Sequence, residues 1–160
     1  MEQVLESQSL ENPLDNAIIG FSRKTGYEFL SNFYGSTVAY EGLLYPSVEH
    51  AYQAAKSLDA STRKIFCRVK DPNIAKRMGQ SIVVRSDWRD VKVDIMRSLI
   101  IEKFQNPFIR WRLIETRGRR LINENKWNDK FWGVVNGEGE NWLGKILEEV
   151  REIIFLEDSS

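Results

Sequence analysis

The segment YPSVEHAYQAAK, Tyr45 to Lys56, narrows the fold more than any other part of the chain. Pro46 is a stop signal and Ser47 an N-cap, and Val48, Ala51, Tyr52 and Ala55 then recur at i, i+3, i+4 and i+7. That spacing predicts a helix over roughly Ser47 to Leu58, laid on a core by one apolar face. At about 100° per residue, Glu49, Gln53 and Lys56 gather on a different face. Glu49 and Lys56 stand about 10 Å apart along the axis, too far for an i,i+4 ion pair. Two readings fit this face. In one, Glu49 complements the helix dipole and Lys56 is solvated. In the other, the gap between them takes a sugar-sized ligand.

Upstream, AIIGFS (Ala17 to Ser22) and STVAYEGLLYP (Ser36 to Pro46) have the apolar and β-branched runs of short strands, read as one small sheet with TGYEFLSNFYG as a loop between. Downstream, helical segments are expected near Thr62 to Val69 and over Pro72 to Met78, the latter capped by Asp71 and closed by Gly79. SIVVRSDW reads as extended. Ser86 or Asp87 can cap a longer helix carrying Trp88, Val91, Ile95 and Leu99, and Pro107 can open another through about Thr116. RGRRLINEN turns extended, and KWNDKFWGVVNGEGEN is turn-rich. Leu143, Ile146, Leu147, Val150 and Ile154 form the stripe of a last amphipathic helix. The expected architecture is α+β, a helix-dominated single domain over residues 16–156 with a small β-sheet, a flexible N-terminal tail over 1–15 and a tail over 157–160.

Composition removes several function classes. The 23 basic and 23 acidic residues cancel, so no whole-chain field favours a non-specific polyanion binder or a polybasic membrane anchor. With one cysteine, Cys67, and one histidine, His50, neither an intrachain disulfide nor a Cys/His zinc site can form. A lone histidine reads as a hydrogen-bonded supporting residue, and no apolar run approaches membrane-spanning length. No metal or cofactor is expected, and a reducing, cytoplasmic setting fits. Between Arg63 and Lys92 nine basic residues face three acidic ones, which is the place to seek phosphate binding. Most of these read as solvated charges, with Arg85 the exception. Arg117, Arg119 and Arg120 are a weaker candidate. NGEGEN reads as a tight turn shaping a pocket rather than a phosphate loop, since Glu138 and Glu140 would repel an anion.

LSNFYG (Leu30 to Gly35), YPSVEHAYQAAK, AKRMG (Ala75 to Gly79), RSDW (Arg85 to Trp88), NDKFWG (Asn128 to Gly133) and NGEGENWLGKILEEVR (Asn136 to Arg151) together resemble the NADAR superfamily, which includes YbiA-like N-glycosidases. The motifs occur in order over most of the chain. The resemblance implies a NADAR/YbiA-like α+β fold and cleavage of N-glycosidic bonds. Within that superfamily some members hydrolyse ribosylaminopyrimidine phosphates of riboflavin biosynthesis, and others remove ADP-ribose from guanine. By position in the motifs it implies Glu49, Lys56 and Asp129 as catalytic. Asn32, Phe33, Gln53, Arg85, Trp88, Glu124, Trp132 and Gly133 would bind substrate. Ile122, Asn123 and Glu124 depart from the more usual hydrophobic pair before that glutamate.

These residue types suit the chemistry. Breaking a ribosyl C–N bond builds positive charge on the sugar and negative charge on nitrogen, so Glu49 and Asp129 can divide charge stabilisation and proton donation. Alternatively, an uncharged Lys56 can attack the open-chain sugar to give a Schiff base. Trp88 and Trp132 offer faces for a nucleobase. The expected partner is a ribosyl nucleobase phosphate or an ADP-ribose adduct, with nucleic acid only as an ADP-ribosylated substrate. A non-catalytic NAD or ADP-ribose sensor is the reading from a different class.

Overall fold

The computed structural model describes residues 14–160, so the expected tail over 1–15 lies outside the described residues except for Leu14 and Asp15. In chain order the elements are β1 (Ile18–Ile19), β2 (Val38–Tyr40), β3 (Leu43–Tyr45), α1 (Val48–Ala55), α2 (Ala60–Arg68), α3 (Pro72–Met78), α4 (Trp88–Lys103), α5 (Pro107–Glu115), β4 (Leu121–Ile122) and α6 (Trp142–Asp158). The domain is α+β, dominated by the six α-helices of the described residues.

The strands do not form the one sheet expected. β2 and β3 fold on each other as an antiparallel hairpin, with Val38 opposite Tyr45. Glu41 and Gly42 at φ 45° and 83° make the two-residue turn that closes it. β1 instead pairs in parallel with β4, Ile18 opposite Leu121, from much later in the chain. The loop between β1 and β2 contains a 3-10 turn, Glu28–Leu30, which buries Phe29 and Leu30. SIVVRSDW contains no strand: Val83 to Arg85 is irregular, a turn follows at Ser86 and Asp87, and Trp88 opens α4.

α1 is the central helix. Ser47 caps it by accepting a hydrogen bond from the His50 N–H, and all eight of its residues are buried, because α2, α3, α4 and the hairpin pack around it. The face carrying Glu49 and Gln53 therefore meets protein rather than bulk water. α6 closes the core with Leu143, Ile146, Leu147, Val150 and Ile154, all buried; each contributes about 1.5–3 kcal/mol of apolar burial. α6 also runs on to Asp158, past the expected start of a tail, because Arg110 of α5 pairs with Glu157 and Asp158 at 2.8 Å. Asp87 stands at the N-cap of α4 without capping it, its carboxylate being taken by Arg85. Among the described residues no helix is long and apolar enough to cross a membrane.

Candidate active site

An open cavity of about 110 Å³ lies beside α1, several times the space one water needs. α1 supplies Glu49, Tyr52 and Gln53, and the loop after the 3-10 turn supplies Ser31, Asn32 and Phe33. Lys76 of α3 and Met96 of α4 reach it. The segment after β4 contributes Asn123, Trp127, Asp129 and Trp132. Two hydrogen bonds to its carbonyls hold the loop, one from α1 and one from α4. The Glu49 N–H donates to the Asn32 carbonyl at 3.0 Å, and the fully buried Lys103 donates from Nζ to the Ser31 carbonyl at 2.8 Å.

Glu49 is the chemical centre. Burial pushes its carboxyl pKa up; the hydrogen bond from Gln53 and the charges of Lys76 and Lys56 act the other way, while Asp129 adds to the rise. Gln53 Nε2 donates to Glu49 Oε1 at 2.8 Å, an i,i+4 contact on the face the wheel picked out. Gln53 Oε1 and Asn32 Oδ1 are buried with no hydrogen-bond partner, so the walls present two acceptors that a donor-bearing ligand would satisfy.

Asp129 is placed by a turn. Asn125 accepts from the Asp129 N–H at 3.0 Å and donates to its carbonyl at 2.8 Å. Asp129 Oδ1 then accepts from the N–H groups of Phe131 and Trp132. Its other carboxylate oxygen has no partner within the described chain.

Lys56 stands at the C-cap of α1 and is not among the residues that line the cavity; its ammonium lies 5.7 Å from the ring centre of Tyr52, which does line it. Burial lowers its pKa, Glu49 opposes that, and Lys76 and Lys92 lower it further. The Tyr52 ring packs 5.1 Å from Trp88 and edge-on to Trp132 at 5.5 Å, while Trp132 Nε1 donates to its hydroxyl at 3.1 Å. Trp132 therefore walls the cavity directly, whereas Trp88 backs Tyr52.

Besides Trp88, three expected substrate contacts are not at the cavity. The backbone N–H of Arg85 is tied to the Lys56 carbonyl at 2.7 Å, and its guanidinium turns to Asp87 at 2.6 Å, over a separate shallow hollow beside Tyr40 and Glu41. Glu124 is exposed and faces a different hollow with Ile19 and Ile122. Successive residues of extended chain point to opposite sides, so Asn123 takes the inward position. A side chain at Gly133 would meet the Asn123 carbonyl at 2.1 Å, which makes it a close-approach position rather than a cavity wall. The NGEGEN turn likewise borders the hollow beside Ile19.

Sequence reading missed Lys76, Asn123 and Trp127. Lys76 had a signal, lying in the AKRMG motif, but was grouped with solvated charges. His50 is fully buried, with Nδ1 2.7 Å from Ser47 Oγ and a pKa lowered by burial, which suits a supporting role. Among the described residues no group of three or more His, Cys, Asp or Glu side chains could hold a metal ion.

The fold and the cavity define a small α+β domain with a buried acid, a flanking lysine and aromatic walls in one pocket. The NADAR domain family model matches residues 20–155, and the chain belongs to that family. It is 35% identical over 158 residues to "N-glycosidase YbiA" of Shigella flexneri, covering 96% of this chain and 98% of that one. It is also 35% identical over 145 residues to "Riboflavin biosynthesis protein VVA0006" of Vibrio vulnificus, where the match covers 88% of this chain and 39% of the longer protein. The NMR structure of the Escherichia coli protein YbiA superposes with a TM-score of 0.80 at 34% identity, covering 96% of this chain and 94% of that one.

Proposed function

We propose that the protein is an N-glycosidase that hydrolyses the bond between ribose C1 and the nitrogen of a phosphorylated ribosyl nucleobase, such as a ribosylaminopyrimidine phosphate of riboflavin biosynthesis. One observation carries this reading: Glu49, buried and with its carboxyl pKa raised, shares a cavity with Asp129. The names of the Shigella and Vibrio relatives support the reaction class and the substrate group.

Cleavage needs a proton for the departing nitrogen and negative charge beside the sugar. The raised Glu49 carboxyl is suited to donate that proton. Asp129, with one oxygen fixed by two backbone N–H groups, offers its other oxygen to the cationic sugar or to the attacking water. Water adds to C1 as the C–N bond breaks and gives up a proton to Asp129, the proton from Glu49 leaves on the base, and return of the water's proton to Glu49 resets the site. The lowered pKa of Lys56 also favours a free amine, which can add to the C1=N bond of the ring-opened substrate, expel the base as its amine and leave a Schiff base that water then hydrolyses to the free sugar. A small metabolite of this kind is consistent with a cytoplasmic enzyme.

The test is to incubate the protein with ribosylaminopyrimidine phosphates and, separately, with ADP-ribosylated guanine DNA. Release of ribose phosphate from the first, abolished by Glu49→Gln, is the expected result. Turnover of the second alone would reassign the substrate, and no ribose product from either would sink the hydrolase reading. Borohydride trapping and mass spectrometry decide the route: an adduct on Lys56 marks the Schiff base, and none under turnover leaves direct hydrolysis.

A further inference from the structure

Most arginines that cross between elements are ion-paired, whereas Lys76, which lines the cavity, has no ion pair among the described residues. Arg63 is paired with Glu41, Arg85 with Asp87, Arg97 with Glu149, Arg110 with Asp158, Arg117 with Glu152 and Arg120 with Glu148. Lys56, Lys76 and Lys92 are each partly buried, yet none has an ion-pair partner among the described residues. Each ammonium lies by an aromatic ring instead. Lys76 sits 4.8 Å from the Trp127 ring centre and 5.8 Å from that of Phe33, Lys92 is 3.8 Å from Phe131, and Lys56 is 5.7 Å from Tyr52. Lys56 lies within electrostatic reach of both Lys76 and Lys92.

Among the described residues Glu49 is the one acidic charge that acts on Lys56, and it acts at a distance rather than as a contact ion pair, so partly desolvated like charges remain incompletely offset, ring faces included. An anion from outside the chain completes the arrangement. The cavity itself carries Glu49 and Asp129, which repel an anion. A ligand with a neutral sugar and one anionic group is thus oriented: sugar toward the carboxylates, anion toward the lysines.

We propose that Lys76, at the wall of the cavity and backed by Trp127 and Phe33, reads the phosphate carried on the ribose of the substrate. This assignment rests on the N-glycosidase reading for its substrate and names a specificity residue within it.

Wild type and Lys76→Met are compared on a ribosylaminopyrimidine 5′-phosphate and on its dephosphorylated counterpart, and on binding of ribose 5-phosphate against ribose by calorimetry. Lys76→Met is expected to reduce the kcat/KM preference for the phosphorylated substrate by about 10–100-fold, as loss of a charge-assisted contact implies, mainly through KM. It is also expected to abolish the preference for ribose 5-phosphate, with partial return in Lys76→Arg. An unchanged preference in Lys76→Met, in turnover and in binding, overturns the assignment. If wild type cleaves neither substrate but binds ribose 5-phosphate through Lys76, the N-glycosidase reading fails and the phosphate site stands.

Discussion

Gly79, at the C-terminal end of α3, offers a way to disturb the proposed acid without touching it. Its φ of −61° is open to any residue, so the backbone does not require glycine. Packing does: a Cβ there would lie 1.8 Å from Gln53 Oε1 and 2.6 Å from Gln53 Cδ. In Gly79→Ala the Gln53 amide must therefore swing away, and its 2.8 Å hydrogen bond to Glu49 breaks. A hydrogen bond to a charged group contributes about 1.5–3 kcal/mol. If the acid needs that orientation in the transition state, kcat/KM on a ribosylaminopyrimidine phosphate falls by about 10–100-fold. The overpacking cost should stay near the low end of about 1–3 kcal/mol, because the obstruction is the end of a side chain beside a cavity; thermal melting would then drop by about 2–4 °C per kcal/mol. Gln53 holds the Glu49 pKa down, so its loss moves that pKa further up and carries the high-pH limb of the rate profile to higher pH. Since both changes act through one contact, Gly79→Ala with Gln53→Ala should be no worse than the more damaging single variant. Gly79→Ala that keeps wild-type kcat/KM across the pH range would refute the reasoning.

Gly144→Ala should do the reverse, since its Cβ would meet the Leu121 backbone carbonyl at 2.0 Å where nothing flexible can yield; calorimetry should show a larger loss of melting temperature than for Gly79→Ala. Asn125→Ala frees both backbone ends of Asp129, and activity should fall with little change in the circular dichroism of the helices. Lys103 links stability to pH: burial lowers its pKa from 10.5 to about 7. Between those values the unfolded chain holds the extra proton, so stability rises with pH by up to about 1.4 kcal/mol per unit and falls as pH drops toward 7. Urea midpoints across that window should show the slope in wild type and lose it in Lys103→Met.

The helices were largely legible in the sequence, because their signals are local. The caps Ser47 and Asp71, the prolines opening α3 and α5, and the apolar stripe of α6 each act within a turn or two of themselves. Strand pairing was less legible: the hairpin turn at Glu41–Gly42 is a local event, but β1 finds β4 only after α5 has brought that segment back. On the site, the motifs drew attention to Glu49, Gln53, Asp129 and Trp132, all of which line one cavity. Arg85 lies away from the cavity, its guanidinium closing a local ion pair with Asp87, whereas Lys76 lines it and has no ion-pair partner among the described residues. Glu124 and Asn123 differ by the one residue that reverses which side of an extended chain a side chain takes.

Periodicity and chemistry along the chain sufficed for the class of fold, for a helix bearing an acid and a lysine, and for a protein whose charges cancel overall. Whether that helix faced water or protein depended on α2, α3, α4 and the hairpin enclosing it, contacts between distant segments that no spacing in Tyr45 to Lys56 encodes. That enclosure removes water from around Glu49 and raises its pKa, turning a residue with an ordinary helix-dipole explanation into a candidate proton donor.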